Sequence, residues 1–167
     1  CFPQAYAATI PIYDRIRKTT KAVVVDIGGF TADYLVFKNG EADLDACDSL
    51  ENGVIILYNN IKSKLNGEMD MLLEESDIDA ILQGDTSDFD NEVVQIVRQQ
   101  AQGFVNDLVG KLRERMVDLR TGKAIFIGGG SILLRQQIES CEKIGTPDFL
   151  DQIYANARGY ELLSRAA

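Results

Sequence analysis

The sequence predicts an α/β fold, a mixed β-sheet flanked by helices with a small subdomain inserted in its middle. Three observations predict it. Two apolar runs of strand length, Ala22-Val23-Val24-Val25-Asp26-Ile27 and Lys123-Ala124-Ile125-Phe126-Ile127, each end on glycines. Elsewhere, apolar residues recur at threes and fours, the period of a helix with one buried face. Between these regular parts lies an acidic segment, residues 66–92, broken by Gly67, Gly84 and aspartate-rich turns.

Taken in order, residues 5–18 carry Ala8, Ile12 and Ile16 at helical spacing, with Tyr6, Ile10 and Tyr13 beside them, and read as an amphipathic helix. The run from Lys21 has no polar alternation until Asp26, so it reads as a central strand buried on both faces. Gly28-Gly29 breaks it, and Thr31-Ala32-Asp33-Tyr34-Leu35-Val36-Phe37 resumes as a second strand. Asn39-Gly40 is the signal of a two-residue type I′ hairpin, because both central positions need positive φ. A third strand is expected over residues 42–50.

Residues 52–65 are periodic, with Val54, Ile55, Tyr58, Ile61 and Leu65 on one face. Short helices are expected at residues 69–75 and 78–82. From Asn91, the stripe Val93, Val97, Ala101, Phe104, Leu108, Leu112, Met116 and Leu119 predicts one long helix. Gly103 and Gly110 inside it cost about 1 kcal/mol each relative to alanine, which suggests close packing there. Residues 132–140 read as a helix leaving the triple glycine, residues 141–144 as a short edge strand, and residues 151–165 as a final helix with Ile153, Ala157, Tyr160 and Leu163 inward. The expected division is residues 1–50 and 93–167 as the main nucleotide-binding unit and residues 51–92 as the inserted small helical subdomain.

Composition narrows the function. With 26 acidic residues against 17 basic ones, the net charge of -9 repels nucleic-acid phosphates and anionic lipid. The basic clusters, Arg15, Arg17, Lys18 and Lys21, then Lys111, Arg113, Arg115 and Arg120, fall in amphipathic stretches and read as solvated faces. Direct DNA binding is therefore disfavoured. Cys1, Cys47 and Cys141 are widely spaced and the chain has no histidine, so no zinc site or Cys–His nucleophile can be assembled. Reduced cysteines in a cytoplasmic protein are the plain reading. No apolar run reaches the roughly 18–20 residues of a membrane span, so no membrane partner is expected. The opening Cys-Phe-Pro, without methionine, suggests a piece excised from a longer protein.

The chemistry lies in the two strand-ending glycine turns. In Asp26-Ile27-Gly28-Gly29-Phe30-Thr31, glycines leave backbone N–H groups open to a phosphate oxygen and Thr31 adds a hydroxyl. Asp26, at the end of a buried strand, needs a partner; Mg2+ held through water is one, and backbone amides of an ordinary hairpin turn are another. In Ile127-Gly128-Gly129-Gly130-Ser131, a strand feeds a triple glycine into a helix, which offers amides to an anion or a flat surface to a base, or serves as a tight connection.

In this order, with an insertion and a long helix between them, the two turns resemble the second half of the superfamily of actin, Hsp70 and the sugar kinases. Asp26-Ile27-Gly28-Gly29-Phe30-Thr31-Ala32-Asp33-Tyr34, Ile127-Gly128-Gly129-Gly130-Ser131-Ile132-Leu133 and the closing Tyr154-Ala155-Asn156-Ala157-Arg158-Gly159-Tyr160 are most similar to the ParM-type plasmid-segregation actins. The resemblance covers essentially the whole chain and implies an RNase H-like sheet, the C-terminal half of an actin-type ATPase.

It implies roles residue by residue. Asp26 would orient Mg2+-bound water; Gly28, Gly29 and Thr31 would form the second phosphate loop, and Gly128, Gly129, Gly130 and Ser131 the adenosine loop. Gly53 would stand before the helix bordering the ribose, or simply start that helix. Gln4, after Pro3, stands where the family has the glutamate that polarises the attacking water; glutamine can orient water but is a poor base. The implied ligands are ATP or ADP, or GTP, with Mg2+. The implied partners are the preceding N-terminal domain, further copies in a filament, and DNA only through an adaptor protein. Half of a micromolar site's roughly -8 kcal/mol leaves about millimolar affinity, so the isolated chain should bind nucleotide weakly and hydrolyse none. A metabolite kinase half and a non-hydrolysing actin-like scaffold are the alternative functions.

Overall fold

The structure, a computed structural model, describes residues 9–150. A 3-10 turn, Ile10–Ile12, leads into the short helix α1 (Tyr13–Ile16), and then β1 (Lys21–Ile27), β2 (Ala32–Lys38), β3 (Glu41–Ala42) and β4 (Asp48–Leu50) follow. Three helices come next, α2 (Val54–Met69), α3 (Glu75–Gln83) and α4 (Asn91–Glu114), and then β5 (Lys123–Ile127), α5 (Gly129–Leu133), α6 (Arg135–Glu139) and β6 (Pro147–Phe149).

The strands form one mixed sheet in the order β3-β2-β1-β5-β6, with β4 also paired to β2. β1 is antiparallel to β2 and parallel to β5, and β5 is parallel to β6. The unalternated apolar run does lie at the centre. Val23 and Val25 face one core cluster with Phe126, while Ala22 and Val24 face the other with Ile125, and all four β1 residues are fully buried. Each fully buried valine, isoleucine or phenylalanine contributes about 1.5–3 kcal/mol relative to exposure. The larger cluster takes in the apolar stripes of α2, α3 and α4; Ile12 and Ile16 cover the opposite face.

The Asn39-Gly40 turn is the expected hairpin, with φ of 52° and 83° at its two central residues. The third strand is not continuous. A 3-10 turn at Leu44–Ala46 splits it into β3 and β4, and at the gap the Cys47 sulfur accepts the Val36 N–H at 3.3 Å while Asp43 N–H donates to the Val36 carbonyl at 2.8 Å. A buried thiol thus stands in for the missing ladder acceptor.

Several helix bounds differ from the periodic reading. α2 runs on to Met69, where Asp70 turns into the left-handed region with φ 51°; residues 71–74 are irregular, and α3 begins with a reciprocal cap between Glu74 and Asp77. The stripe of α4 ends at Leu112. Met116 adopts φ 62° and is 91% exposed, and the chain doubles back so that Val117 and Leu119 are buried outside the helix. Gly103 and Gly110 are not sites of close packing, since a Cβ at either would meet nothing within 4 Å. The helix after the triple glycine starts at Gly129 and breaks at the fully buried Leu134 (φ -97°, ψ 15°). Residues 141–144 form a turn, closed by Ile144 N–H to the Cys141 carbonyl at 3.0 Å; the edge strand is β6, whose first residue is Pro147, a position that suits a residue without an N–H. The predicted helix over residues 151–165 and the start of the first helix lie outside the described residues.

Candidate functional site

β1 and β5 are parallel neighbours, so their carboxyl ends lie side by side, and both glycine turns leave the sheet at that edge. The first turn is closed by Gly28 N–H donating to the Thr31 carbonyl at 2.9 Å. Its next carbonyls point at the start of α2. Gly53, Val54 and Ile55 donate their N–H groups to Phe30, Gly28 and Gly29 at 3.1, 3.1 and 3.0 Å. Those are N–H groups that a helix start leaves without intrahelical partners, and here the loop satisfies them. In a trans peptide the N–H opposes the C=O. The Gly29 and Phe30 N–H groups are therefore turned away from α2, and no described residue accepts them. Donors arranged this way form an anion-binding concavity.

Gly53 has a structural reason to be glycine. A Cβ there would lie 2.2 Å from the Gly29 oxygen and 2.4 Å from the Gly29 and Phe30 carbonyl carbons. Its conformation (φ -86°, ψ 170°) is open to any residue, so close approach is the cause. The residue before it, Asn52, is buried, and its Oδ1 accepts from Lys111 Nζ of α4 at 2.6 Å, which ties the start of α2 to the long helix.

The three glycines of the second turn do different work. Gly128 has φ 86°, and a Cβ on it would sit 2.3 Å from Asp26 Oδ1 and 2.7 Å from the Ile27 oxygen. Asp26 is half-buried at the end of β1 and lies against this glycine. Gly130 is buried, with Ile27 and Val54 both within 2.8 Å of a would-be Cβ. Gly129 has only open space beside it. Ser131 is buried and donates its hydroxyl to the Ile127 carbonyl, so it closes the turn rather than facing outward. Thr31 is half-buried. Gln4 lies outside the described residues.

Both turns open on one cleft of about 420 Å³. Gly28, Gly29, Gly129 and Gly130 line it, and Val54, Ile132 and Leu133 add apolar wall. Tyr58 of α2 with Asp79 and Gln83 of α3, three residues that no motif had marked, also line it. The Tyr58 hydroxyl donates to Asp79 Oδ1 at 2.6 Å. Burial, and then that bond to a carboxylate, push the Tyr58 phenol well above its ordinary value of 10.0, so it stays a neutral donor. The helical stripe placed Tyr58 inward, but nothing in sequence says what meets its hydroxyl 21 residues away.

Asp26 suits Mg2+, which binds through one or two carboxylates, waters and substrate phosphates rather than an all-protein cage. Among the described residues no group of three or more histidine, cysteine, aspartate or glutamate side chains could hold a metal by itself. No helix among them is long and apolar enough to cross a membrane.

The family model described as archaeal actin homologue MreB-like, C-terminal, matches residues 24–140. Among curated proteins no sequence matches the chain. Among solved structures, the archaeal actin homolog Ta0583 in complex with ADP is similar over 98% of this chain and 56% of its own, with 21% identity and a TM-score of 0.70. A ParM from Clostridium botulinum, solved as a 15-stranded filament, is similar over 98% and 52%, with 16% identity and a TM-score of 0.74. Bacillus thuringiensis ParM with ATP is similar over 89% and 48%, with 16% identity and a TM-score of 0.59. The chain thus spans about half the length of the structures it matches.

Proposed function

The chain belongs to the family of archaeal actin homologues, MreB-like, C-terminal, and from that premise we propose that it is the nucleotide-binding half of an actin-type ATPase that polymerises, as ParM-type proteins do, to segregate plasmid DNA. One observation carries the reading. Two glycine turns, 100 residues apart in sequence by their first glycines (128 - 28), open on a single cleft at the carboxyl edge of the sheet. That edge is where open α/β sheets bind their ligands.

In this proposal the Gly29 and Phe30 amides and Thr31 receive phosphates, and Gly129, the glycine with open space beside it, lies under the nucleoside. Bound Mg2+ would neutralise phosphate charge. Asp26 would hold a water of its shell, and Gln4 would orient the attacking water by hydrogen bonds. Residues 1–50 and 93–167 form the RNase H-like unit and residues 51–92 the inserted subdomain, whose α2 and α3 share a core cluster with α4. The ligands are ATP and ADP, or GTP. The facing wall, with the first phosphate loop and its lysine, belongs to a preceding domain. Further copies stack head to tail, since heterologous contacts that do not close produce filaments. DNA is reached through an adaptor in the cytoplasm, consistent with a net charge of -9.

The test is polymerisation of the longer protein. Light scattering should rise when Mg-ATP is added and fall as phosphate is released, while this chain alone shows neither. A longer protein that turns over no nucleotide and forms no nucleotide-dependent polymer would contradict the proposal.

A further inference from the structure

We propose that Asp79, held in place by the Tyr58 hydroxyl, reads the N–H donors on the base edge of a purine nucleotide in the cleft, which sets both the direction in which the nucleotide enters and the bases it accepts. The inference rests on the nucleotide reading above and goes further by naming what selects the base.

Two groups that line the cleft have opposite hydrogen-bonding character. On the first glycine turn the N–H groups of Gly29, which lines the cleft, and of Phe30 lack acceptors among the described residues, which favours phosphate oxygens. Asp79 of α3 presents a carboxylate to the same cleft, which only accepts when ionised. Among the described residues, no lysine or arginine lies within ion-pair distance of it. A phosphate placed there would meet a negative charge with no cation beside it among the described residues, and the nucleotide therefore enters with its phosphates at the glycines and its base at Asp79.

Tyr58 sharpens the reader. It is 8% exposed, its single O–H goes to Asp79 Oδ1, and its raised pKa keeps that proton in place. Asp79 Oδ2 is left to accept from a ligand. Adenine offers one exocyclic amine, and guanine offers N1–H beside an amine; a purine lacking both offers no donor. Gln83, which also lines the cleft, can both donate and accept, so it adds affinity without choosing. Asp79 does nothing evident for its own helix, where aspartate is a poor interior residue.

The experiment compares ADP, GDP and the diphosphate of unsubstituted purine riboside by NMR titration of the chain. The comparison is repeated on Tyr58→Phe and on the double variant Tyr58→Phe/Asp79→Leu, which removes both partners and leaves neither orphaned. Wild type should favour ADP or GDP over the donor-less analogue by about tenfold, as a hydrogen bond to a charged group would give. Tyr58→Phe should narrow that ratio, and the double variant should bring it to about one. A ratio unchanged in the double variant, or no preference in wild type, overturns this inference and leaves the nucleotide reading intact. Failure of all three to bind wild type at millimolar concentration overturns both.

Discussion

Replacing Gly53 with alanine should cost the domain about 3 kcal/mol. The added Cβ falls 2.2 Å from the Gly29 oxygen and 2.4 Å from two carbonyl carbons. Those atoms are backbone on both sides, so no side chain can swing aside. Restoring ordinary contact separates the start of α2 from the loop by about 1 Å. The three hydrogen bonds of 3.0–3.1 Å that join them then stretch to about 4 Å, beyond useful range. Three neutral hydrogen bonds at about 1 kcal/mol each give the estimate, and overpacking penalties of about 1–3 kcal/mol agree with it. Against a total stability of about 5–15 kcal/mol the loss is large. Urea unfolding reads it directly. With a slope of about 2 kcal/mol per molar the midpoint should fall by about 1.5 M. Gly129→Ala is the matched control, since a Cβ there meets nothing within 4 Å, and it should unfold within about 0.5 kcal/mol of wild type. A Gly53→Ala protein as stable as that control would refute the close-approach reasoning.

Gly103→Ala should stabilise the domain by about 0.5–1 kcal/mol in the same assay, because the helix gains propensity and the methyl enters open space. Gly128→Ala should destabilise by about 2 kcal/mol or more in thermal unfolding, since alanine would have to hold φ 86° with its Cβ against Asp26. Alkali should also weaken the fold. Tyr58 and Tyr34 are raised above the ordinary 10.0, both chiefly by burial, so the folded state keeps protons that the unfolded chain has lost. Their contribution is whole below the unfolded tyrosine value and is lost as pH climbs from there through the folded values. Urea midpoints should therefore fall above pH 10, and Tyr58→Phe should reduce the slope by about 1.4 kcal/mol per pH unit.

The sheet was legible because its signals are local. A β-branched run without alternation needs burial on both faces, and Asn39-Gly40 needs positive φ at two successive residues; both demands are met inside a few positions. The helix ends were harder. Met116 and Asp70 take the left-handed conformation that glycine usually marks, so α2 and α4 stop where no glycine announces it. The gap between β3 and β4 depends on the Cys47 thiol reaching the Val36 N–H, a contact across strands. Glycine itself was ambiguous. Gly53 and Gly130 are pressed against other backbone or side chains, while Gly103 and Gly110 have space around them, and only packing separates the cases. In the site, the two turns could be read from their residues, but the Tyr58–Asp79 pair joins two helices and carries no motif.

The central claim is that the turns at Gly28 and Gly128 together form one nucleotide-binding wall. Titrating the labelled chain with Mg-ADP and following its backbone amides tests it most directly. Gly28, Gly29, Phe30, Thr31, Gly129 and Gly130 should shift together along one saturation curve. Shifts confined to residues outside these two turns, with the glycine amides still, would contradict it.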